Sequence, residues 1–519
     1  MERAEAGSMW SGRLGHLWRG VWLLWLWKAV LVAGTGSKLW EVPTAAFTSS
    51  FNLSESLQWE PQCQYRHLQD KVRITADVPP RLDGTWVSTR CEVRPGPEFL
   101  TRSYTFHPNR YFQALQHYYA DSGCEHPAYS LVIRGRLRMR QASWITRGGT
   151  EAEHHLSKVG IVVHGAEAKQ TLASRLPPAC VGLTFSRVLP GKLFELHNSR
   201  MGRGCLAALG FSMMELGLLR METQHHGHGG KVQELFLGDI HTGWAQRTQY
   251  RPTGYQQPLQ NAMHHIHPCP VCALVYRSSE QRPPLLTRSP AAPLSLAGRW
   301  VSQRCESRPA VQFLTRDFTF DPEQHAWEGA YRHYSDPGCS QPTFTLRASG
   351  HYAQGNPSAK VSGAFEFVFK VTRVRVTATE ESTAKLLNRA RPGKCGLGAW
   401  EVGVEQDLTP TDGCTVLGIK LPHKEYELFK TELDHRKHPL LSIGERPTDG
   451  SSPDRPLKRP TSFQAPMVLC SGGETQPPHR HGSGFNSKRV QSAAGGTHRR
   501  TQLVLLVFGP VLRSLFCVS

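Results

Sequence analysis

Between Phe99 and Phe106 the chain alternates: Leu100, Tyr104 and Phe106 fall on one side of an extended segment, and Thr101, Ser103 and Thr105 on the other. A period of two in β-forming residues predicts a half-buried strand. The same alternation returns at Leu314, Phe318 and Phe320. Tyr129 to Ile133 and Phe365 to Val371 read alike, and the second run sets Phe365, Phe367 and Phe369 on one face. Turn-forming stretches, DSGCEHP and DPGCSQP, separate such runs as hairpins require. Two stretches, around 206–222 and 423–434, read as helical. The pattern predicts a mainly β protein with minor helix, its antiparallel sheets closed as barrels or sandwiches.

The pattern is written twice. GTWVSTRCEVRPGPEFLTRSYTF at 84–106 matches GRWVSQRCESRPAVQFLTRDFTF at 298–320. Cys124 then matches Cys339, Cys180 matches Cys395, Cys205 matches Cys414, and Arg251-Pro252-Thr253 matches Arg459-Pro460-Thr461. A period this long is a duplicated domain rather than a solenoid unit. Each copy runs from its tryptophan toward a closing cysteine, Cys269 or Cys272 in the first and Cys470 in the second, with one cysteine over for Cys63.

The ends set the compartment. Arg13 and Arg19 precede an apolar run, Val21 to Val32, and small residues follow, which is the order of a signal peptide. In an oxidising compartment the even set Cys63, Cys91, Cys124, Cys180, Cys205, Cys269, Cys272, Cys305, Cys339, Cys395, Cys414 and Cys470 makes a disulfide framework, with Cys517 apart in the tail. The connectivity stays open. Asn52 heads a glycosylation sequon. The expected layout is a signal peptide (1–37), an N-terminal segment (38–80), a first β domain (81–276), a Pro-rich linker (277–296), a second β domain (297–470), a flexible stalk (471–501) and an apolar anchor or anchor signal (502–519). Residues 444–466, rich in Pro, Gly, Ser and basic residues, also read as flexible. A spanning helix and a lipid-anchor signal are both open for the tail. Either tethers the protein to the extracellular face of the plasma membrane.

Charge narrows the partners. The chain of 519 residues carries 61 Lys and Arg against 42 Asp and Glu, a formal charge of +19. Outside the cell the anionic partners are sulfated glycans and lipid headgroups rather than nucleic acid. The basic residues Arg455, Lys458, Arg459, Lys488, Arg489, Arg499 and Arg500 are placed to meet them, or simply to solvate a stalk. By parity Arg102 and Arg316 fall on the apolar faces of their strands, and Glu92 and Glu306 are their natural partners in structural ion pairs. Trp86 and Trp300 read as core aromatics, or as the wall of an apolar cavity together with Tyr104, Phe106, Phe318, Phe320, Phe365, Phe367 and Phe369. His264, His265 and His267 beside Cys269 and Cys272, with His225, His226 and His228, resemble a zinc site, but exported paired thiols favour a disulfide and no metal is expected. No nucleophile elbow, zinc-protease helix or phosphate loop is present, so a binding protein without cofactor is expected rather than an enzyme.

The repeats, with RQASWITRGGTEAE, QELFLGDIHT, YRPTGYQQPLQNA, HYSDPGC, GIKLPHKEYELFK and RPTDGSSPDRP, resemble the adenomatosis polyposis coli down-regulated family over residues 58–470. The resemblance implies a single-pass cell-surface glycoprotein that restrains Wnt signalling by engaging lipidated Wnt ligand and, on the receptor side, a co-receptor. A cavity among the inward aromatics would shield the Wnt acyl chain. An extracellular lipid carrier and a glycan-binding adhesion protein are the alternatives.

Overall fold

The computed structural model describes residues 49–52, 73–175, 190–199, 203–204, 206, 211–225, 230–287, 294–434 and 437–470. The expected signal peptide, Cys63, Cys180, Cys205, His226, His228, the stalk 471–501 and the tail 502–519 lie outside the described residues, as does the side chain of Asn52.

Alternation of apolar and polar residues makes strands, and each copy bends eight of them into a ring. In the first copy these are β1 (Gly84–Val87), β2 (Glu98–Phe106), β3 (Tyr111–Tyr119), β4 (Pro127–Ala142), β5 (Thr150–Val163), β6 (Leu218–His225), β7 (Lys231–Leu237) and β8 (Leu259–Asn261). In the second they are β9 (Gly298–Ser302), β10 (Gln312–Asp321), β11 (Ala326–Tyr334), β12 (Pro342–Pro357), β13 (Phe365–Ala378), β14 (His423–Leu433), β15 (Pro439–Ile443) and β16 (Met467–Leu469). All neighbours are antiparallel. β9 pairs with β10 on one side and β16 on the other, and β14 pairs with β13, so the second ring is closed. The first ring closes over a shorter bridge, Leu218 opposite Glu151 and Leu219 opposite Thr150. Ser49–Asn52 and Arg73–Asp77 extend the first sheet beyond β6.

Neither stretch expected to be helical forms an α-helix among the described residues. His423–Leu433 is β14, and within 206–222 a single 3-10 turn, Met214–Gly217, leads directly into β6. The Glu, Lys and Leu content that favours helix is overridden because each strand completes a ring of backbone hydrogen bonds. Helix is confined, among the described residues, to α1 (Ala166–Arg175), α2 (Pro270–Tyr276) and α3 (Glu381–Leu387). None is long and apolar enough to cross a membrane. The segment 444–466, expected to be flexible, is folded onto the second barrel. Ser462 and Gln464 are buried, and Gln464 donates to the Gly444 carbonyl.

Inside each ring the same cluster is built twice. Trp86 donates its indole N–H to the Leu82 carbonyl at 2.7 Å, and Trp300 does so to Leu296 at 2.9 Å. Arg102, fully buried, meets Glu92 at 2.7 Å, and Arg316 meets Glu306 at 2.8 Å. A serine that the sequence pattern did not single out completes each pair. Ser88 donates to Glu92 and accepts from the Arg102 backbone N–H, and Ser302 does the same for Glu306 and Arg316. Beside each pair a disulfide ties the strand entry to the next turn, Cys91–Cys124 and Cys305–Cys339. A third bond, Cys395–Cys414, caps the second barrel. Cys269 and Cys272, expected to close the first copy through distant partners, are joined to each other instead, because α2 brings them within one turn. Cys470 is disulfide-bonded to a cysteine outside the described residues.

The two barrels face each other about a pseudo-two-fold axis. The backbone N–H of Gly96 donates to Thr461 Oγ1 at 2.8 Å, and the equivalent Ala310 N–H donates to Thr253 Oγ1 at 2.9 Å. On the axis itself, Thr242 and Thr448 donate reciprocally, backbone N–H to side-chain oxygen, at 3.0 and 3.2 Å. Arg304 of the second copy forks onto the buried Glu234 of the first and lies over the Phe236 ring. Part of the expected linker also packs: Leu286 joins Phe99, Val361 and Leu428 in an apolar cluster between the barrels.

Removing one partner of a buried pair leaves the other charge stranded. Arg102→Met is expected to destabilise the protein by ~3–5 kcal/mol, whereas the double change Glu92→Leu with Arg102→Met costs far less. Denaturant unfolding of the two variants checks this.

Candidate functional site

The interiors of the two barrels are filled differently. In the first, Leu131, Ile133, Val159, Ile161 and Val163 line the half beyond the ion pair, and Met213 and Leu216 enter it from the 3-10 turn before β6. Tyr104 donates to Glu215 at 3.3 Å, and Gln116 donates to Tyr104 at 2.8 Å and reaches Met213 Sδ, which fixes this plug. A space of only about 50 Å³ is left. At the matching positions of β12 and β13 the second copy has Leu346, Ala348, Val374, Val376 and Ala378, so Ile133 gives way to Ala348 and Val163 to Ala378. The segment before β14, Leu417 to Leu421, lies at the wall rather than in the middle.

The result is a cavity of about 2190 Å³ that runs from the cleft between the barrels into the second barrel. It exceeds the ~300–1,000 Å³ of ordinary small-molecule pockets. Trp327, Leu346, Ala348, Val371, Val374 and Ile419 make its inner wall. The Trp327 indole N–H is buried without a hydrogen-bond partner among the described residues. Toward the cleft the lining turns polar: His333, Arg308, Glu306, His423, Glu425 and Arg446. Arg446 forks onto Glu425, one branch at 2.8 Å, and His423 lies 2.9 Å from the same carboxylate. Burial pushes the His333 imidazole down to about 4, so it stays neutral, while the Arg446 charge and the His423 hydrogen bond outweigh the burial of Glu425 and hold its carboxyl at about 2. An apolar end and a charged, hydrogen-bonding mouth suit an amphiphile: a long hydrocarbon tail inside and a polar group at the rim.

The aromatics expected to line a cavity sit elsewhere. Trp86, Tyr104 and Phe106 are packed in the first core; Trp300, Phe318, Phe320, Phe367 and Phe369 are packed in the second, with Phe365 half-buried against it. Their rings close on one another and on Phe429, at 4.9 Å from Phe367 and 5.1 Å from Phe369. None is among the residues that line the cavity. They fill the opposite half of the ring, which leaves the other half to Ala348, Val371 and Val374. A position-by-position comparison of side-chain size between the two copies carries that signal; the alternation of one strand does not. His265, Cys269 and Cys272 do come together at the cleft, but the S–S bond leaves no thiolate for a metal.

The family described as Adenomatosis polyposis coli down-regulated 1 matches this chain over residues 60–287 and again over 288–476. A solved structure of a tryptophan-to-alanine mutant of the vaccine antigen transferrin binding protein B from Haemophilus parasuis Hp5 aligns at 8% identity. The alignment covers 84% of this chain and 89% of that one with a TM-score of 0.15, a likeness that carries no argument.

Two buried acids near the site titrate at unusual values. Burial, with Glu425 beside it, pushes Glu427 up to about 8, and burial, with Asp239 across the axis, pushes Glu445 up to about 7. A carboxyl whose pKa is raised on folding contributes stability below its unfolded value, about 4.5, and loses it as pH rises through the folded value. Glu427→Gln is therefore expected to raise Tm by roughly 2–8 °C at pH 8, with the difference from the parent closing by pH 5. Thermal melts across that range read the outcome.

Proposed function

The chain belongs to the adenomatosis polyposis coli down-regulated 1 family, and from that premise we propose that it restrains Wnt signalling by binding the lipidated Wnt ligand. The family makes it a candidate Wnt-pathway regulator, and its disulfides mark it as an extracellular or secretory-pathway protein. In the proposed mechanism the Wnt acyl chain leaves water for the second-barrel cavity. Its polar attachment point stays at the rim, within reach of Arg446, His423 and His333. The observation that carries this reading is the apolar hollow lined by Trp327, Leu346, Ala348, Val371, Val374 and Ile419.

The energetics favour sequestration. About a dozen buried CH₂ groups at ~0.8 kcal/mol each supply of order 10 kcal/mol before the costs of association. A Wnt whose acyl chain is buried here cannot present it to a receptor, so inhibition follows from occupancy alone and requires no catalysis. The protein would act at the extracellular face of the plasma membrane, where ligand and receptor meet.

Native mass spectrometry with a palmitoleoylated Wnt peptide tests the idea. The acylated peptide should bind and its deacylated twin should not. Ala348→Trp, which fills the hollow, should weaken acyl binding at least tenfold while the melting transition stays cooperative. Equal binding of the two peptides would sink the proposal.

A further inference from the structure

We propose that the outer face of β4, on the first barrel, is a binding site for a linear sulfated polysaccharide. Along β4 the inward residues Ile133, Gly135 and Leu137 are buried, and the outward residues between and after them are Arg134, Arg136, Arg138 and Arg140, all exposed. Alternate residues of a strand lie about 7 Å apart, so the row spans about 20 Å.

The neighbouring strands add to the charge. On β5, Lys158 lies opposite Arg134 and His155 opposite Arg136, and Arg110 is exposed in the turn before β3. On β3 the opposing residues are Gln113 and Tyr111, which carry no negative charge. Two acids reach this face. Glu153 pairs with Arg140, both well exposed, and Glu195 pairs with Lys158 at 3.5 Å. Exposed pairs of this kind hold weakly. Arg134, Arg136 and Arg138 have no ion-pair partner among the described residues.

The duplication supplies an internal control. At the matching positions of β12 the second copy carries Ser349, His351, Ala353 and Gly355. The arginines that do stand on its outer face are paired with acids, while Lys370 and Lys424 are exposed there opposite each other. Arg373 pairs with Asp407 at 2.7 Å, Arg375 with Glu405 at 3.0 Å and with Glu328 at 3.1 Å, and Arg347 faces Glu405 at 3.8 Å. Those acids come largely from a short strand, Glu405–Asp407, laid along β13. The barrel therefore does not need an arginine row to fold, and where it carries other outward arginines it balances them.

A row of four guanidinium forks, three of them without an ion-pair partner among the described residues, fits a linear polyanion whose oxyanions recur along its length. The compartment selects which polyanion. Disulfides place the chain in the secretory route, where sulfated glycans, not nucleic acids, are the abundant polyanions. None of the row lines the cavity, so a glycan and an acyl chain can be held at the same time.

Retention of the full chain on immobilised heparin, against salt, is the test. The triple variant R134S/R136S/R138S should bind at least tenfold more weakly, and its slope of log affinity against log salt should fall by roughly 2–3. The conservative variant R134K/R136K/R138K should keep most of the retention. Arg136→Glu alone, at the centre of the row, should lower the eluting salt and serves where the triple variant does not fold. Unchanged elution of the serine variant would place heparin binding on another basic segment and overturn the proposal. So would equal binding to desulfated heparin, or binding to phosphatidylserine vesicles without binding to heparin.

Discussion

A ring of eight antiparallel strands encloses a space just wide enough for its own side chains or for one slim ligand. Whatever fills that space decides what the barrel can do. In the first barrel Met213 and Leu216 enter from the turn before β6 and the interior becomes a core. In the second, the small side chain of Ala348 and the displacement of Leu417 to Leu421 to the wall leave part of that space open to the cleft, while Val376 and Ala378 are packed beside Leu387 and Leu408. Two apolar clusters flank the opening. Phe318, Phe320, Phe367, Phe369 and Phe429 close one end with ring-to-ring contacts, and Val376, Ala378, Leu387, Trp400 and Leu408 pack the other.

Between the two halves of each ring lies a charged band. Arg102 with Glu92 and Arg316 with Glu306 are buried with their serine partners, and in the second barrel the band continues through Arg308, Glu425, Glu427 and Arg446. Buried charges hold only when paired and hydrogen-bonded. That requirement fixes the strand entries at Ser88 and Ser302 and places a polar layer at the inner end of the cleft. The hollow and the polar rim are thus consequences of one arrangement: an apolar barrel interrupted by a band of ions.

Much of this was legible in the chain. The alternation at 99–106 and 313–320 gave strands, parity put Arg102 and Arg316 inside, and the repeat gave two like domains. The hollow was not legible, because inward aromatics are the signature of a filled core as much as of a cavity wall. The residue that leaves space is Ala348, whose contribution is the absence of a larger side chain. β14 was hidden for a different reason: Glu425 and Glu427 face inward, so its polar residues do not mark the solvent side. The stretch 444–466 is ordered although Pro and Gly usually signal flexibility, because they shape a loop that Arg459 ties to the Phe367 and Glu427 carbonyls of the barrel. Duplication suggests equivalent, distant partners for Cys269 and Cys272, but a short helix joins them to each other.

The reciprocal hydrogen bonds of Thr242 and Thr448 describe a homodimer folded into one polypeptide. A symmetric dimer of identical subunits must carry every substitution twice, and it falls apart on dilution. Joined end to end, the halves meet at an effective concentration set by their tether and not by the surroundings. Association no longer limits them, and a change in one half is no longer copied into the other. A plug can be kept on one side and lost on the other, and an arginine row can accumulate on one outer wall while the matching strand lacks it. Asymmetry of this kind is open to a tandem chain and closed to a true dimer.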